Sequence, residues 1–299
     1  MGANEGKEKF INKIKLNVKT APYYFLLPIL VLYLVFMVYP IIDSFILSFQ
    51  KFEQGQYSFA GLQNYIRLFN DPVFTTALKN TFFYLIIQVP IMVGLALFLA
   101  VILEQYIIVG REFFRMSMFL PSVTALVAYA LIFKLLLNTD FGMLNYLLSL
   151  IGIDKVDWLN GVLTAKLSIV LAITWKWTGY NMVILTAGIK GISDELYEAA
   201  DIDGAGKWQK FRYITIPSLK PVILFSTITS TIGTLQLFDE SYILTQGGPD
   251  NATITVGHYL YNTGFKFFDF GYAAAISYAL VVIILILSII QMKVTEERD

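Results

Sequence analysis

The chain has 299 residues, of which 57% are hydrophobic and only 15% charged, with a mean hydropathy of +0.64, whereas soluble domains carry roughly 25% charge. Its 22 basic and 22 acidic residues cancel, so no net field points to nucleic acid or an acidic ligand. With no cysteine, disulfides, thiolate chemistry and cysteine metal sites are excluded.

Six apolar stretches are long enough to cross a hydrocarbon core of about 30 Å, which takes roughly 20 helical residues. They fall near 23–47, 81–103, 116–137, 167–188, 222–244 and 271–291, so the expected fold is an all-α polytopic membrane protein. A basic tail, residues 1–20, comes first. The apolar run after Lys19 is too long for a cleaved signal, and no small-x-small cleavage site follows it promptly. The spans hold Pro28, Pro40, Pro90 and Pro121, which suits a bundle whose neighbours satisfy freed carbonyls.

The loop 50–78 is amphipathic, with Leu62, Tyr65, Ile66, Leu68 and Phe69 beside Asn64 and Arg67, and predicts a short surface helix. The third span contains Lys134, and the fourth contains Lys176, which is expected to snorkel or to pair with a carboxylate. The loop 140–166 carries Trp158. The loop 246–270 carries the turn signal GGPDNAT, then Tyr259, Tyr261, Phe265, Phe267, Phe268 and Phe270. Aromatics so placed predict an interfacial belt, with contact to a partner as the other reading. Asn251-Ala252-Thr253 matches a glycosylation sequon, a match common by chance. The lone histidine, His258, is expected to make a local surface bond and not to bind a metal or proton. The fifth span is rich in Ser and Thr, whose hydroxyls can bond their own helix or a neighbour.

Basic residues set the orientation. With the N-terminus inside, fourteen fall on inside segments: Lys7, Lys9, Lys13, Lys15, Lys19, Arg111, Arg115, Lys190, Lys207, Lys210, Arg212, Lys220, Lys293 and Arg298. Seven fall outside: Lys51, Arg67, Lys79, Lys134, Lys155, Lys166 and Lys266. This two-to-one bias predicts both termini in the cytoplasm.

About thirty residues join the fourth and fifth spans, far more than a simple return requires. Leu196, Ala199 and Ala200 recur at helical spacing and predict a short helix over Asp194–Ile202, capped by Ser193 or Asp194. Asp203-Gly204 is a turn signal. A second helical stretch, 207–213, carries Trp208 and Phe211, and Pro217 ends or bends it. Alanines that allow close approach, carboxylates and aromatic anchors make a docking knob. An amphipathic segment lying on anionic lipid fits the residues equally well.

A resemblance separates the two readings. Glu198-Ala199-Ala200, Asp203-Gly204-Ala205, Phe211, Ile214 and Pro217 resemble, with full spacing, the EAA loop of binding-protein-dependent ABC import permeases. GISDELY just before it, PSLKP at its end, GLQNYIRLFNDPVFTTALKNT at 61–81 and LTQGGPDNAT at 244–253 are similar to the carbohydrate-importer branch, so the match covers nearly the whole chain. It implies a type I importer permease fold. The tail would be followed by a first span and outer loop over 21–76, then the transmembrane domain over 77–292, with its coupling loop at 194–217. It also implies that Glu198, Ala199, Ala200, Asp203, Gly204, Phe211 and Pro217 couple to a cytoplasmic ATPase dimer. Further implied partners are a second related permease, an extracytoplasmic solute-binding protein and a carbohydrate. The first span and the 61–81 stretch favour the larger of the two permease types. Transport would proceed by alternating access, driven by ATP in the partner.

Sugar contacts require rings for apolar sugar faces and polar groups for hydroxyls. Tyr180, Asn181, Gln236 and Phe238, from the fourth and fifth spans, are the expected substrate-path residues; Trp175 and Trp177 are read instead as helix-packing rings. Asp239 and Glu240 suggest an ion-coupled carrier as the alternative, unless they sit in water at the outer mouth. A permease for glycerol phosphate or another non-sugar solute is a further alternative, but no span holds an arginine in its interior, which favours a neutral oligosaccharide. The chain lacks a Walker-type stretch, a metal cluster and a nucleophile–base pair, so it is expected to bind no cofactor and hydrolyse no ATP itself.

Overall fold

The structure, a computed structural model, describes residues 21–53, 55–105 and 110–296; the basic tail and Arg298 lie outside them. Helices dominate, as a bilayer demands, because intrahelical bonds alone satisfy a backbone in hydrocarbon.

The first span is α1 (Ala21–Tyr33), a π turn (Leu34–Val38) and α2 (Tyr39–Leu47), none of whose residues is buried. The rod meets the bundle through Tyr278, whose ring lies 5.0 Å from Phe45 and whose hydroxyl lies 3.2 Å from Ser44 Oγ. A hairpin follows, with β1 (Gln50–Glu53) antiparallel to β2 (Gln56–Phe59). The predicted surface helix is α3 (Gln63–Asn70), but its faces are reversed in part. Leu62, Ile66 and Phe69 point outward, while Asn64 is buried and donates to the carbonyls of Ser48 and Gln50, each at 2.9 Å.

The second span is α4 (Pro72–Gln105). The third does not form one rod: α5 (Arg111–Val123) and α6 (Leu126–Leu136) meet at 101°. Thr124 and Ala125 are extended there, just past Pro121, so the helix ladder stops. After α7 (Met143–Leu150) comes α8 (Val162–Lys190), the centre of the molecule, which packs against α4, α5 and α11 (Ile216–Leu235). Its polar residues Thr174, Lys176, Thr178 and Asn181 are buried in protein, so they need not face lipid. Among the described residues, four helices are long and apolar enough to cross a membrane, or five with the bent pair; α8 is too polar to count among them.

The segment between α8 and α11 holds α9 (Asp194–Ile202), the boundaries expected, and α10 (Lys207–Lys210), which runs through a π turn (Phe211–Thr215) into α11. Pro217 therefore does not end the helix. The wide turn before it, in which Ile216 N–H bonds the Phe211 carbonyl, absorbs the proline; Pro40 in α2 follows the same arrangement. The fifth span breaks after Leu235 and resumes as α12 (Asp239–Ile243). Then come α13 (Val256–Tyr261), a third π turn and α14 (Phe270–Glu296).

Two contacts set the packing. A Cβ on Gly179 would overlap the Met118 carbonyl oxygen, so α8 and α5 touch backbone to backbone. At the other end, Asp71 caps α4 by accepting from the Val73 and Phe74 amides at 2.8 and 3.1 Å. Its second oxygen accepts from Tyr259 at 2.5 Å and Tyr272 at 2.7 Å, joining α4, α13 and α14. Arg67 of α3 lies over the Tyr272 ring and pairs with Asp269 at 2.6 Å.

Burial raises the Asp71 carboxyl pKa, but the bonds from Tyr259, Tyr272 and the two amides outweigh it, so the group is held below its ordinary 3.8. A carboxyl held low in the fold stabilises above its unfolded pKa, and that contribution is lost as pH falls through the folded value. We therefore expect Asp71→Asn to lower the thermal midpoint in detergent at neutral pH and to shrink the loss of stability below about pH 4. Equal acid sensitivity in both chains would contradict this role. Gly179→Val should cost roughly 1–3 kcal/mol through overpacking, read as a lower thermal midpoint. Gly94→Ala, whose Cβ would meet nothing within 4 Å, is the control.

Candidate functional site

A cavity of about 460 Å³ lies between α4, α8, α11 and α12, with Leu126 of α6 at its edge. All four expected substrate-path residues line it. Tyr180 is 40% exposed and meets Trp177 edge-on at 5.9 Å, so Trp177, expected to pack between helices, also forms wall. Gln236 is exposed and Phe238 half-buried, both on the stretch where the fifth span loses its helix. Irregular backbone at membrane depth is tolerable where it lines a cavity. Its Leu237 carbonyl accepts from Thr255 Oγ1 at 2.5 Å, so the break is satisfied from α13's first turn.

Asn181 faces the cavity but is spent on the protein. Its amide nitrogen donates to the Trp177 carbonyl at 3.0 Å, and its oxygen accepts from Ser226 at 2.5 Å and Ser230 at 3.4 Å. It ties α8 to α11.

The wall also contains groups that the sequence reading did not single out: Gln88, Met92, Thr229 and Ser230. Gln88 is buried and accepts from Thr234 at 3.0 Å. Its signal was available, because an amide alone in an apolar span belongs toward protein. Thr229, Ser230, Gly233 and Thr234 share one helical face, another readable stripe.

The two carboxylates diverge. Asp239 is half-buried and lines the cavity, and Glu240 is buried, accepting a hydrogen bond from Tyr129 of α6. Glu240 is thus not in water at an outer mouth. Lys176 neither snorkels nor forms an ion pair among the described residues. It is 1% exposed and donates to the carbonyls of Pro121 and Thr124 at 3.3 and 2.7 Å.

Outside the cavity, Phe238 stacks on Tyr242 at 5.2 Å and meets Tyr261 at 4.9 Å, and Tyr261 stacks on Phe265 at 5.4 Å. Part of the expected aromatic belt is therefore a ring cluster that starts at the cavity. Trp158 likewise turns inward, its ring N–H donating to Asn145 at 2.8 Å. His258 does make a local bond but is buried, beneath this cluster. Ser241 Oγ donates to the Thr253 carbonyl, which leaves Nδ1–H of His258 as the donor to Ser241 at 2.8 Å. Burial, and then the charge of Lys266, hold its pKa down to about 4, so the ring is neutral at ordinary pH.

The second feature is the knob. Glu198, Ala199, Asp203 and Gly204 are exposed, Ala200 and Phe211 half-buried, and Pro217 exposed. Gly204 has φ +76°, the left-handed turn its sequence signalled, with open space where a Cβ would sit. No side-chain cap forms at Ser193; instead Gln209 Oε1 accepts from the Gly206 amide at 2.7 Å. The arms are braced by Lys210–Asp201 at 2.6 Å and Tyr197–Thr215 at 2.9 Å. Ile202 (87%), Trp208 (70%) and Tyr213 (72%) stand in the open, an apolar surface of the kind that marks interaction sites.

Two of the helices that wall the cavity lead into this knob: α8 through Gly191–Ser193, and α11 without a break from α10. Apolar helices around a cavity walled by rings and polar side chains, with an exposed knob leading from two of them, fit the membrane subunit of a transporter. Residues 109–294 match the family described as binding-protein-dependent transport system inner membrane component. The chain is 47% identical to the lactose transport system permease protein LacF of Rhizobium radiobacter, over 92% of this chain and 93% of that one. It is 39% identical to the arabinooligosaccharides transport system permease protein AraP of Bacillus subtilis, over 93% and 89%. A solved structure of a bacterial alginate ABC transporter, in complex with an alginate pentasaccharide-bound periplasmic protein, superposes with TM-score 0.80 at 25% identity, covering 91% of this chain and 92% of that one. The chain belongs to the binding-protein-dependent transport system inner membrane component family.

Proposed function

We propose that this chain is the permease subunit of an ATP-driven importer of neutral oligosaccharides. It forms half of a pathway completed by a second, related permease. The observation that carries this reading is the cavity itself: rings (Trp177, Tyr180, Phe238) and uncharged polar groups (Gln88, Thr229, Ser230, Gln236) share its wall with the carboxylates Asp239 and Glu240, and no arginine is among them. Sugars need that mixture, whereas a phosphate ester would call for arginine. The lactose and arabinooligosaccharide cargoes named for two relatives agree with it, whereas the alginate of the structural neighbour is an acidic saccharide and supports only the saccharide class. Family membership sets aside the ion-coupled carrier.

In this reading the chain crosses the membrane six times, with α8 as the crossing shielded by the others, and both termini are cytoplasmic. Residues 1–20 form a tail, 21–76 a first span and outer loop, and 77–292 the transport domain. Glu198, Ala199, Ala200, Asp203, Gly204, Phe211 and Pro217 form the coupling surface for an ATPase dimer, which holds the ATP; this chain binds no cofactor. A solute-binding protein delivers sugar from the outer side to Tyr180, Gln236 and Phe238, with Asn181 holding the two walls together. Closure of the ATPases moves the knobs, and α8 and α11 carry the motion over roughly 15–20 Å of helix to the cavity.

Purification from native membranes in mild detergent should recover a second permease and an ATPase; recovery of the chain alone would overturn the reading. Gly204→Val forces a branched residue into the left-handed region with no steric contact. It is expected to insert normally yet lose sugar-stimulated ATP hydrolysis. Phe238→Ala should lower transport about two- to tenfold, the worth of a ring contact, with ATPase binding unchanged.

A further inference from the structure

The α5–α6 elbow raises a question that transport alone does not answer: what holds a 101° break in place inside a membrane protein. Carbonyls at a broken helix end lose their partners, and leaving them bare in hydrocarbon is costly. The Thr124 carbonyl, which has no backbone partner among the described residues, receives the ammonium of Lys176 at 2.7 Å, and the Pro121 carbonyl, already bonded by the Thr124 amide at 3.2 Å, takes it as a second donor at 3.3 Å. A methylene-rich side chain with three donors on a charged tip suits that task. Lys176 lies three residues before Gly179, hence on the same helical face, and Gly179 is where α8 touches the Met118 backbone of α5. One face of α8 therefore seats the last turn of α5 and caps it.

The same ammonium reaches the cavity wall. It lies 4.3 Å from the Tyr129 ring centroid and 5.5 Å from that of Trp177, and within electrostatic range of Asp239. Tyr129, in turn, donates to Glu240. Leu126, the first residue of α6, is a cavity wall residue only because the chain turns where it does.

We propose that Lys176 is a positioning residue for transport: by bonding the Pro121 and Thr124 carbonyls it sets the α5–α6 elbow, and with it the Leu126 edge of the cavity. It touches no solute in this account, and it acts through the elbow. The proposal rests on the transport reading for its consequence, but its geometric half can be tested without any solute.

The absence of native cysteine makes that test clean. Leu126→Cys, in the full chain expressed with its partner subunits, places one thiol at the cavity edge, and its labelling rate by a water-soluble maleimide reports the elbow. Lys176→Met keeps the length and removes every donor; Lys176→Gln removes the charge but keeps two donors. With Lys176→Met the labelling rate should change at least about fivefold, and transport in the Leu126 background should fall about tenfold, the scale expected from a stranded buried carbonyl. Lys176→Gln should restore both to within about threefold of the parent, a rescue expected if bonding and not charge is the cause. Unchanged labelling in Lys176→Met overturns the proposal, and so does Lys176→Gln failing as badly as Lys176→Met while accumulating normally. If Lys176→Met does not accumulate, Lys176→Gln decides alone, near-parent labelling supporting the proposal and a fivefold change overturning it. Should no sugar be transported by the parent complex, the transport reading fails while the labelling result still stands.

Discussion

Every feature of this structure answers to one constraint: a backbone inside a membrane must satisfy its own polar groups or find a donor in its neighbours. Regular helices meet it by themselves. The informative places are where the ladder stops. At the α5–α6 elbow the Thr124 carbonyl takes Lys176, which also reaches the Pro121 carbonyl, and just past the end of α11 the Leu237 carbonyl takes Thr255. Before Pro40 and Pro217 the helix widens into a π turn instead of ending. The breaks and the cavity coincide because an irregular backbone is tolerable only where protein or water surrounds it.

The same constraint explains α8. A helix bearing Lys176, Thr178 and Asn181 would be costly against lipid, yet it packs against α4, α5 and α11. Its polarity becomes useful there. Asn181 binds α11 through Ser226 and Ser230, and Thr178 returns its hydroxyl to the Thr174 carbonyl at 2.6 Å. The outer rod, α1 with α2, shows the opposite arrangement, apolar but for Asp43 and Ser44 and with no residue buried.

Placement of the cavity on α8 and α11 also gives the molecule a mechanical route. The knob is the direct continuation of both walls, and Tyr197–Thr215 and Lys210–Asp201 brace its two arms. Asp71, with Tyr259 and Tyr272, closes the N-terminal end of α4 onto α13 and α14. The unit around Gly204 is therefore a braced one and not a loose loop. The exposed Ile202, Trp208 and Tyr213 provide apolar surface on the same unit.

Sequence by itself determined the helical class, the place of the apolar runs, the exact helix Asp194–Ile202 and the left-handed turn at Gly204, because periodicity and glycine chemistry are local. The resemblance to sugar permeases, with the need of a sugar for rings and polar groups, also pointed to Tyr180, Asn181, Gln236 and Phe238, all of which line one cavity. What the sequence did not contain was direction across distance. Nothing local in 116–137 says that the chain turns through 101°, or that the lysine capping the turn comes from α8, more than fifty residues away. The burial of His258 and Glu240, the inward turn of Trp158 and the internal bonding of Asn181 were likewise set by neighbours from other helices. Those outcomes belong to tertiary structure because each depends on a partner that the chain brings close only when the bundle assembles.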